Sequence, residues 1–384
     1  MTQLRIPAVY MRGGTSKGVF FQAGDLPSDP AARDRLLLRV MGSPDRYGKQ
    51  IDGMGGASSS TSKVVILSPS NRPDCDVDYL FGQVAVDRPV IDWSGNCGNL
   101  TAAVAPFALS SGLMAVPHGD EARVRIWQAN ISRRIDALVP LKNGEVQEEG
   151  DFELDGVAFP AAEIRIEFLD PAGAEEGVGS GLFPTGRKLE WLEIPGFGRV
   201  EATLINAGMP TIFLEAASLG LAGTELQGEV NNRPELLARV EAIRAQGALA
   251  MGLVASATEA TARRPHSPKL ACVAPPSDYM ASDGKAVAAA SIDVQARIFS
   301  MGQLHHAMTG TGAVALAVAA VIPGTLVHRL APSSGSLRFG HPSGLQAVGA
   351  EATQRDGAWT VSKVCMSRSA RRLMEGWVRV PSSP

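Results

Sequence analysis

Two stretches of the chain read as helices with almost no polar side chain on any face, residues 100–109 and 310–321. A helix that is apolar all round persists in water only when it is enclosed. What surrounds both stretches is strand. Segments with strand character run at 6–11, 19–22, 64–67, 76–91, 123–128, 131–140 and 163–168, and again at 200–205, 212–215, 270–274, 291–300, 337–344 and 358–365. Each half therefore needs a strongly curved sheet wrapped about one central helix. The expected fold class is α+β, with two pseudo-symmetric domains at 1–185 and 186–384. The Gly- and Pro-rich stretch 170–186 is the expected connection between them. Further helices are expected at 28–40 and at 231–253, the second with Asn232 as its cap and Pro234 near its first turn.

Both enclosed helices are introduced by a glycine-punctuated turn. In the first half this turn is SGNCGN (94–99), and it holds Cys97. Gly95 and Gly98 let the backbone pass close to a ligand, and residues 98–100 present amides as the helix begins. Those amides and the helix dipole attract anions and favour a thiolate at Cys97. A buried structural cysteine is the alternative. Ser94, Asn96 and Asn99, crowded into the same turn, argue for the functional reading. The second-half turn, Met308, Thr309, Gly310 and Thr311, mirrors the first without a cysteine. Two helix N-termini aimed at one cleft suit a di- or tricarboxylate.

Two further loops carry polar chemistry. RGGTSKG (12–18) joins the first two strands and sets Arg12, Thr15, Ser16 and Lys17 on a tight turn. It does not fit the phosphate-binding GxxxxGK[ST] pattern. It suits a carboxylate or a phosphate, the alternative being a solvated hairpin. The segment 41–63 contains five glycines and a run of five hydroxyl residues, Ser58 to Ser62, that ends in Lys63 and a strand. Gly/Ser tracts are often flexible linkers. This one leads directly into an apolar strand, and a lysine buried at that junction loses its proton more readily. Lys63 is therefore a candidate general base, against the alternative of a surface lysine.

Composition narrows the function. Net charge is −3 and aromatic residues make up only 5% of the 384, which gives nucleic-acid binding little support. No signal-peptide core and no membrane-length apolar run is present, and no membrane association is expected. The four cysteines are far apart and form no CxxC pair, and the six histidines fit no HExxH or HxxxH pattern. A reduced, cytoplasmic setting without metal is expected.

The succession RGGTSKG (12–18), MGSPD (41–45), QIDGMGGASSSTSK (50–63), DVDYLFGQVAVD (76–87), DWSGNCGN (92–99), INAGMPT (205–211), MGQLHHAMTGTGAVA (301–315) and FGHPSG (339–344) strongly resembles the PrpF family. These are 2-methylaconitate cis–trans isomerases on the diaminopimelate-epimerase fold. The resemblance covers most of the chain, and its motifs are long and unusual. They separate the family poorly from 4-oxalomesaconate tautomerase and methylitaconate isomerase, its siblings. The resemblance implies two barrel-like domains with the active site between them, and a catalytic pair that falls on Lys63 and Cys97. It implies no cofactor, a small unsaturated tri- or dicarboxylate as substrate, and a homodimer on family grounds alone. The chemistry implied is proton abstraction beside an unsaturated carboxylate. The negative charge that develops would meet amides at 97–99 and 310–312 and the hydroxyls of Thr15, Ser16, Ser62 and Ser94. Arg12 or Lys17 is placed to pair with a carboxylate. Gly98, Asn99, Asn206, Met308, Thr309, Gly310 and Thr311 complete the expected binding set. A two-thiol racemase is disfavoured by the missing second cysteine. A non-catalytic carboxylate-binding accessory protein is the reading from a different class, and retention of both Lys63 and Cys97 argues against it.

Overall fold

The computed structural model describes residues 3–172, 181–355 and 358–381. Residues 173–180 of the expected connection lie outside the described residues. The chain forms two compact units, Met1–Ile166 with Arg368–Pro384, and Glu167–Ser367. The division thus falls at 166/167 and not at 185/186, and the final segment returns to the first unit. Pairing explains the return: the C-terminal strand Ala370–Val380 runs antiparallel to the first strand from Leu4 to Gly13.

The first unit contains β1 (Leu4–Gly13), β2 (Ser16–Gln22), α1 (Pro30–Met41), β3 (Lys63–Pro69), β4 (Val77–Val84), β5 (Ile91–Asp92), α2 (Thr101–Ser110), β6 (Glu121–Gln128), β7 (Arg133–Lys142) and β8 (Glu145–Val146). Its sheet runs C-terminal strand, β1, β2, β3, β4, β6, β7. The β2/β3 and β4/β6 pairs are parallel and the rest antiparallel. Helix α2 touches β1 and the C-terminal strand at one end of this order and β6 and β7 at the other. The sheet has therefore curled around it, and Thr101 to Leu109 are all buried. Strand β3 begins Lys-Val-Val-Ile-Leu without alternation because both of its faces are covered. Val64 and Ile66 share a core with Leu37, Val40 and Met41 of α1. On the other side Phe20 of β2 lies 5.5 Å from Phe107 of α2. Asp29 caps α1 by accepting from the Ala32 amide at 2.7 Å, and Gly42 ends it in the left-handed conformation.

Strand β9 (Ile164–Leu169) leads into the second unit. There follow β10 (Glu190–Ile194), β11 (Gly198–Ala207), β12 (Met209–Glu215), α3 (Gln227–Asn231), α4 (Pro234–Ala250), α5 (Ala257–Arg263), β13 (Lys269–Ala274), β14 (Tyr279–Met280), β15 (Ala286–Val287), β16 (Val294–Ser300), β17 (Gln303–Leu304), α6 (Gly310–Val321), α7 (Leu326–Leu330), β18 (Ser336–His341), β19 (Gly344–Arg355) and β20 (Ala358–Arg368). The sheet order is β10, β11, β12, β13, β16, β18, β19, β20, with β12/β13 and β16/β18 parallel. Strands β11, β12, β13, β16, β18 and β19 thus repeat the plan of β1, β2, β3, β4, β6 and β7. Helix α6 takes the place of α2, buried from Gly310 to Ala320 against β11, β12, β18 and β19. The helix expected over 231–253 forms as α4, which starts at Pro234, and the short helix α3 ends just before it at Asn231. Proline at 234 has no amide to donate and disfavours helical backbone at Arg233, which becomes the N-cap. Asn232 instead donates from its side chain to the Gly228 carbonyl at 2.9 Å, closing α3.

A Cβ placed on Gly13 would lie 2.8 Å from the Asn99 carbonyl oxygen and 2.9 Å from Leu100 Cα, both backbone atoms that cannot swing aside. Gly13→Ala is expected to lower the unfolding free energy by about 1–3 kcal/mol. Gly24→Ala, which meets nothing within 4 Å, should stay within about 0.5 kcal/mol of the parent. Urea denaturation of the two variants checks this.

Candidate active site

Lys63 opens β3 at the point where the hydroxyl tract becomes strand. That tract is folded: the Thr61 and Ser62 amides donate back to the Ser58 carbonyl at 3.1 and 3.0 Å, forming one tight turn. Gln50, buried and held at φ 51°, pins the turn from the preceding loop. Its Nε2 donates to Ser62 Oγ and to Ser43 Oγ, each at 2.8 Å, while its Oε1 accepts from the Ala57 amide at 2.8 Å.

Lys63 itself is only 4% exposed. Its Nζ donates to Gln83 Oε1 at 2.5 Å and lies 5.0 Å from the centroid of the Phe81 ring. Gln83 stands opposite Lys63 in the β3/β4 register and is fully buried. Its Nε2 donates to the Ser62 carbonyl at 3.0 Å. Burial holds Lys63 below the ordinary lysine value, because an ammonium loses more than an amine on leaving water. A negative charge on Cys97 works in the opposite direction, which places that thiol within electrostatic reach of the amine.

Cys97 is buried in the turn that leads into α2. Its carbonyl accepts from the Thr101 amide at 3.0 Å, the Thr101 hydroxyl at 2.9 Å and the Tyr79 hydroxyl at 3.4 Å. The Leu100 amide donates to its Sγ at 3.4 Å. The turn therefore aims a backbone donor at the sulfur. Gly98 lies in the same buried turn. Next to it, Asn99 donates from Nδ2 to Thr15 Oγ1 at 3.0 Å and accepts at Oδ1 from Arg368 Nε at 3.1 Å. Arg368 is 1% exposed. Burial pulls its guanidinium down to about 10, and a charge on Cys97 raises it. It remains a cation at neutral pH beside the thiol.

The remaining first-unit residues have mainly supporting tasks. Ser16 is buried and pairs with Gly13 across the hairpin. The Ser94 amide and hydroxyl both donate to Asp92 Oδ1, at 2.8 and 2.5 Å. Arg12 donates from Nη1 to the carbonyls of Gly14 and Ser369, at 3.0 and 2.9 Å, and from Nη2 to Ser369 Oγ at 3.1 Å. Lys17 holds its ammonium 5.3 Å from the Tyr10 ring centroid. Both cations already brace the hairpin, so carboxylate pairing by either gains no support here.

In the second unit, Asn206 is buried near the end of β11, and its amide donates to the Leu182 carbonyl at 2.9 Å. Met308 is buried just ahead of α6. Thr309 caps that helix by accepting from the Gly312 amide at 3.1 Å, which commits an amide expected to serve an anion. Gly310 and Thr311 form the buried first turn, and the Thr311 hydroxyl donates to Met209 Sδ at 3.7 Å. Among the described residues, no group of three or more His, Cys, Asp and Glu gathers as a metal site would require. All four cysteines are free thiols. No helix among the described residues is long and apolar enough to cross a membrane.

Sequence reasoning missed Gln50, Gln83 and Arg368. Gln83 could have been found by pairing the strand at 64–67 with the next one. Arg368 sits in a run of ordinary polar residues with no motif around it. Together the first-unit groups assemble an amine biased toward its neutral form, a thiol and a buried cation. That set can remove a proton from a weak carbon acid and return it.

The chain matches the family described as "PrpF protein" over residues 3–381. A 2-methyl-aconitate isomerase of Cupriavidus necator is 61% identical over 389 aligned positions, covering 99% of this chain and 98% of that protein. A solved methylitaconate-delta-isomerase is similar at TM-score 0.77 and 37% identity, covering 100% of this chain and 97% of that one. A solved hydroxyproline epimerase from Agrobacterium vitis, with trans-4-hydroxy-L-proline bound, is 12% identical at TM-score 0.59 over 99% of this chain and 94% of that one. This last likeness concerns the fold alone, and it is the epimerase-like fold expected from the sequence.

Because burial depresses the proton affinity of Lys63, the native state is penalised for carrying that proton. The penalty is full below the folded pKa and fades as pH rises toward the ordinary lysine value of about 10.4. Wild type should therefore gain stability relative to Lys63→Met as pH is raised from 7 to 10. Denaturant unfolding of both proteins at the two pH values checks the sign.

Proposed function

This chain belongs to the PrpF family and is an isomerase, and from that premise we propose that it interconverts the cis and trans forms of 2-methylaconitate. The observation that carries the mechanism is the buried amine of Lys63, held by a neutral amide and depressed in proton affinity. The full-length 61% identity to a 2-methyl-aconitate isomerase, against 37% to the solved methylitaconate-delta-isomerase, supports the choice of substrate.

In this reading Lys63 removes the proton that is both allylic to the double bond and α to a carboxylate. The carbanion delocalises into a dienolate, so the former double bond can rotate. Return of the proton to the same carbon completes the isomerisation with no net change in atoms or electrons. Arg368 and the donors around Asn99 offset the negative charge. Cys97, whose sulfur already accepts from the Leu100 amide, either hands the proton back or orients the substrate. No cofactor enters the scheme. We place the enzyme in the cytoplasm, where its four thiols stay reduced.

Proton NMR in deuterated water tests this directly. Wild type should isomerise 2-methylaconitate and exchange its allylic proton, and Lys63→Ala should lose both by about 10²–10⁴-fold. A base acts only when unprotonated, so kcat/KM should rise with pH through a limb below the ordinary lysine range. Exchange confined to 4-oxalomesaconate would move the enzyme to the tautomerase branch. Absence of exchange in both compounds would sink the proposal.

A further inference from the structure

Gln83 is the middle member of a row of three. It stands opposite Lys63 across β3 and β4, and opposite Asp92 across β4 and β5. Residues directly opposite one another in antiparallel strands share a face of the sheet. A buried amine and a buried carboxylate therefore flank one glutamine, with exposures of 4% at Lys63, 0% at Gln83 and 3% at Asp92. Each step across the strands spans about 5 Å between β-carbons, so Gln83 keeps the two on the order of 10 Å apart. The Asp92 carboxylate is engaged locally, by the amide and hydroxyl of Ser94.

The glutamine is locked in one orientation. The Ser62 carbonyl can only accept, so Gln83 must turn its Nε2 toward it, at 3.0 Å. The Ser62 side chain is fixed in turn by Gln50. That leaves Oε1 to face Lys63 Nζ, at 2.5 Å. An amide oxygen accepts from an amine as well as from an ammonium, so the contact persists while Lys63 gains and loses its proton. Because Oε1 donates nothing, it leaves the lone pair of the neutral amine free for a proton on carbon. The amide turned the other way would donate into that lone pair. A carboxylate in its place would hold the ammonium instead.

The other neighbours of Lys63 leave this role to Gln83. Cys97, in the turn ahead of α2, acts on Lys63 by charge and favours the ammonium. Strand β4 also contributes Phe81, whose ring centroid lies 5.0 Å from Nζ. Strand β2 contributes Gly18, where a Cβ would lie 3.1 Å from Lys63 Cβ. Neither of these titrates. Arg368 is held at Asn99 and feels the charge on Cys97.

We infer that Gln83 is a positioning residue for the reaction, a neutral spacer that aims Lys63 in both of its protonation states and separates it from the Asp92 carboxylate. Its effect on turnover rests on Lys63 being the base proposed above, and its hold on the amine does not.

Two readouts keep these claims apart. The Nζ resonance of Lys63 in protein made with isotopically labelled lysine, assigned by its loss in Lys63→Met, reports the titration of the amine whatever the activity. Steady-state isomerisation of 2-methylaconitate reports turnover. In Gln83→Glu, which keeps size and reach, the Lys63 midpoint should rise by about one to three pH units, and the rising limb of kcat/KM should move up with it. In Gln83→Met, which keeps the bulk and removes the amide, the midpoint should not rise. There kcat should fall about ten- to a hundredfold with KM little changed, because the amine has lost its aim. Circular dichroism and thermal melting certify that each variant is folded. Should Gln83→Glu fail to fold, Gln83→Asn, whose amide is one methylene short of Nζ, should lower kcat in the same way without raising the midpoint. A folded Gln83→Glu in which Lys63 titrates as in wild type would overturn the inference. So would a Gln83→Met or Gln83→Asn with wild-type kcat. A midpoint that moves in Gln83→Glu while Lys63→Ala still turns over substrate would overturn the base and leave the hold of Gln83 standing.

Discussion

The whole architecture follows from two helices that have nowhere to put a polar face. Neither α2 nor α6 carries a charged side chain, and both are buried along nearly all of their length. Such a helix cannot rest on a flat sheet with one side to water, because the exposed half would remain apolar. The strands must pass around it. Once they do, the helix cylinder is sealed and the polar groups are displaced to its ends. The turn holding Cys97 and the mouth of β3 holding Lys63 are such ends. Their Gly-rich sequences reflect the tight approach there, where Gly13 lies against the backbone of Asn99 and Leu100.

Inside that shell, the identity of the neighbour decides what a lysine can do. A carboxylate opposite Lys63 would hold it as an ammonium. Gln83 fixes the same geometry through a neutral carbonyl oxygen and leaves desolvation in control. The support reaches further back, since Gln83 is itself tied to the Ser62 carbonyl and Ser62 to Gln50. An apparently low-complexity tract thus behaves as a rigid bracket for one nitrogen atom.

Sequence and structure agree where local chemistry dictates the outcome. The apolar helices, the Gly-punctuated turns, Lys63 at a strand mouth and Cys97 ahead of a helix are all legible because each depends on residues within a few positions. What escaped depends on register and on distance along the chain. Gln83 matters because it falls opposite Lys63 across a strand pair. Arg368 matters because the chain returns after the whole second unit to place it against Asn99, 269 positions away. Neither relation leaves a local pattern. Pro234 near the first turn marked the start of α4 correctly, and only the cap moved, from Asn232 to Arg233. Charge alone singled out Arg12 and Lys17, and register adds that both cations have contacts within the chain, to Ser369 and to the Tyr10 ring.

The antiparallel partnership of β1 with the C-terminal strand puts Leu4 beside Val380. On the ribosome, the first unit emerges early and yet cannot complete its sheet until the last strand appears. Its open edge at β1 must wait while the second unit is made and can fold. Arg368 arrives with that same late segment, so the buried cation beside Cys97 is among the final pieces set in place.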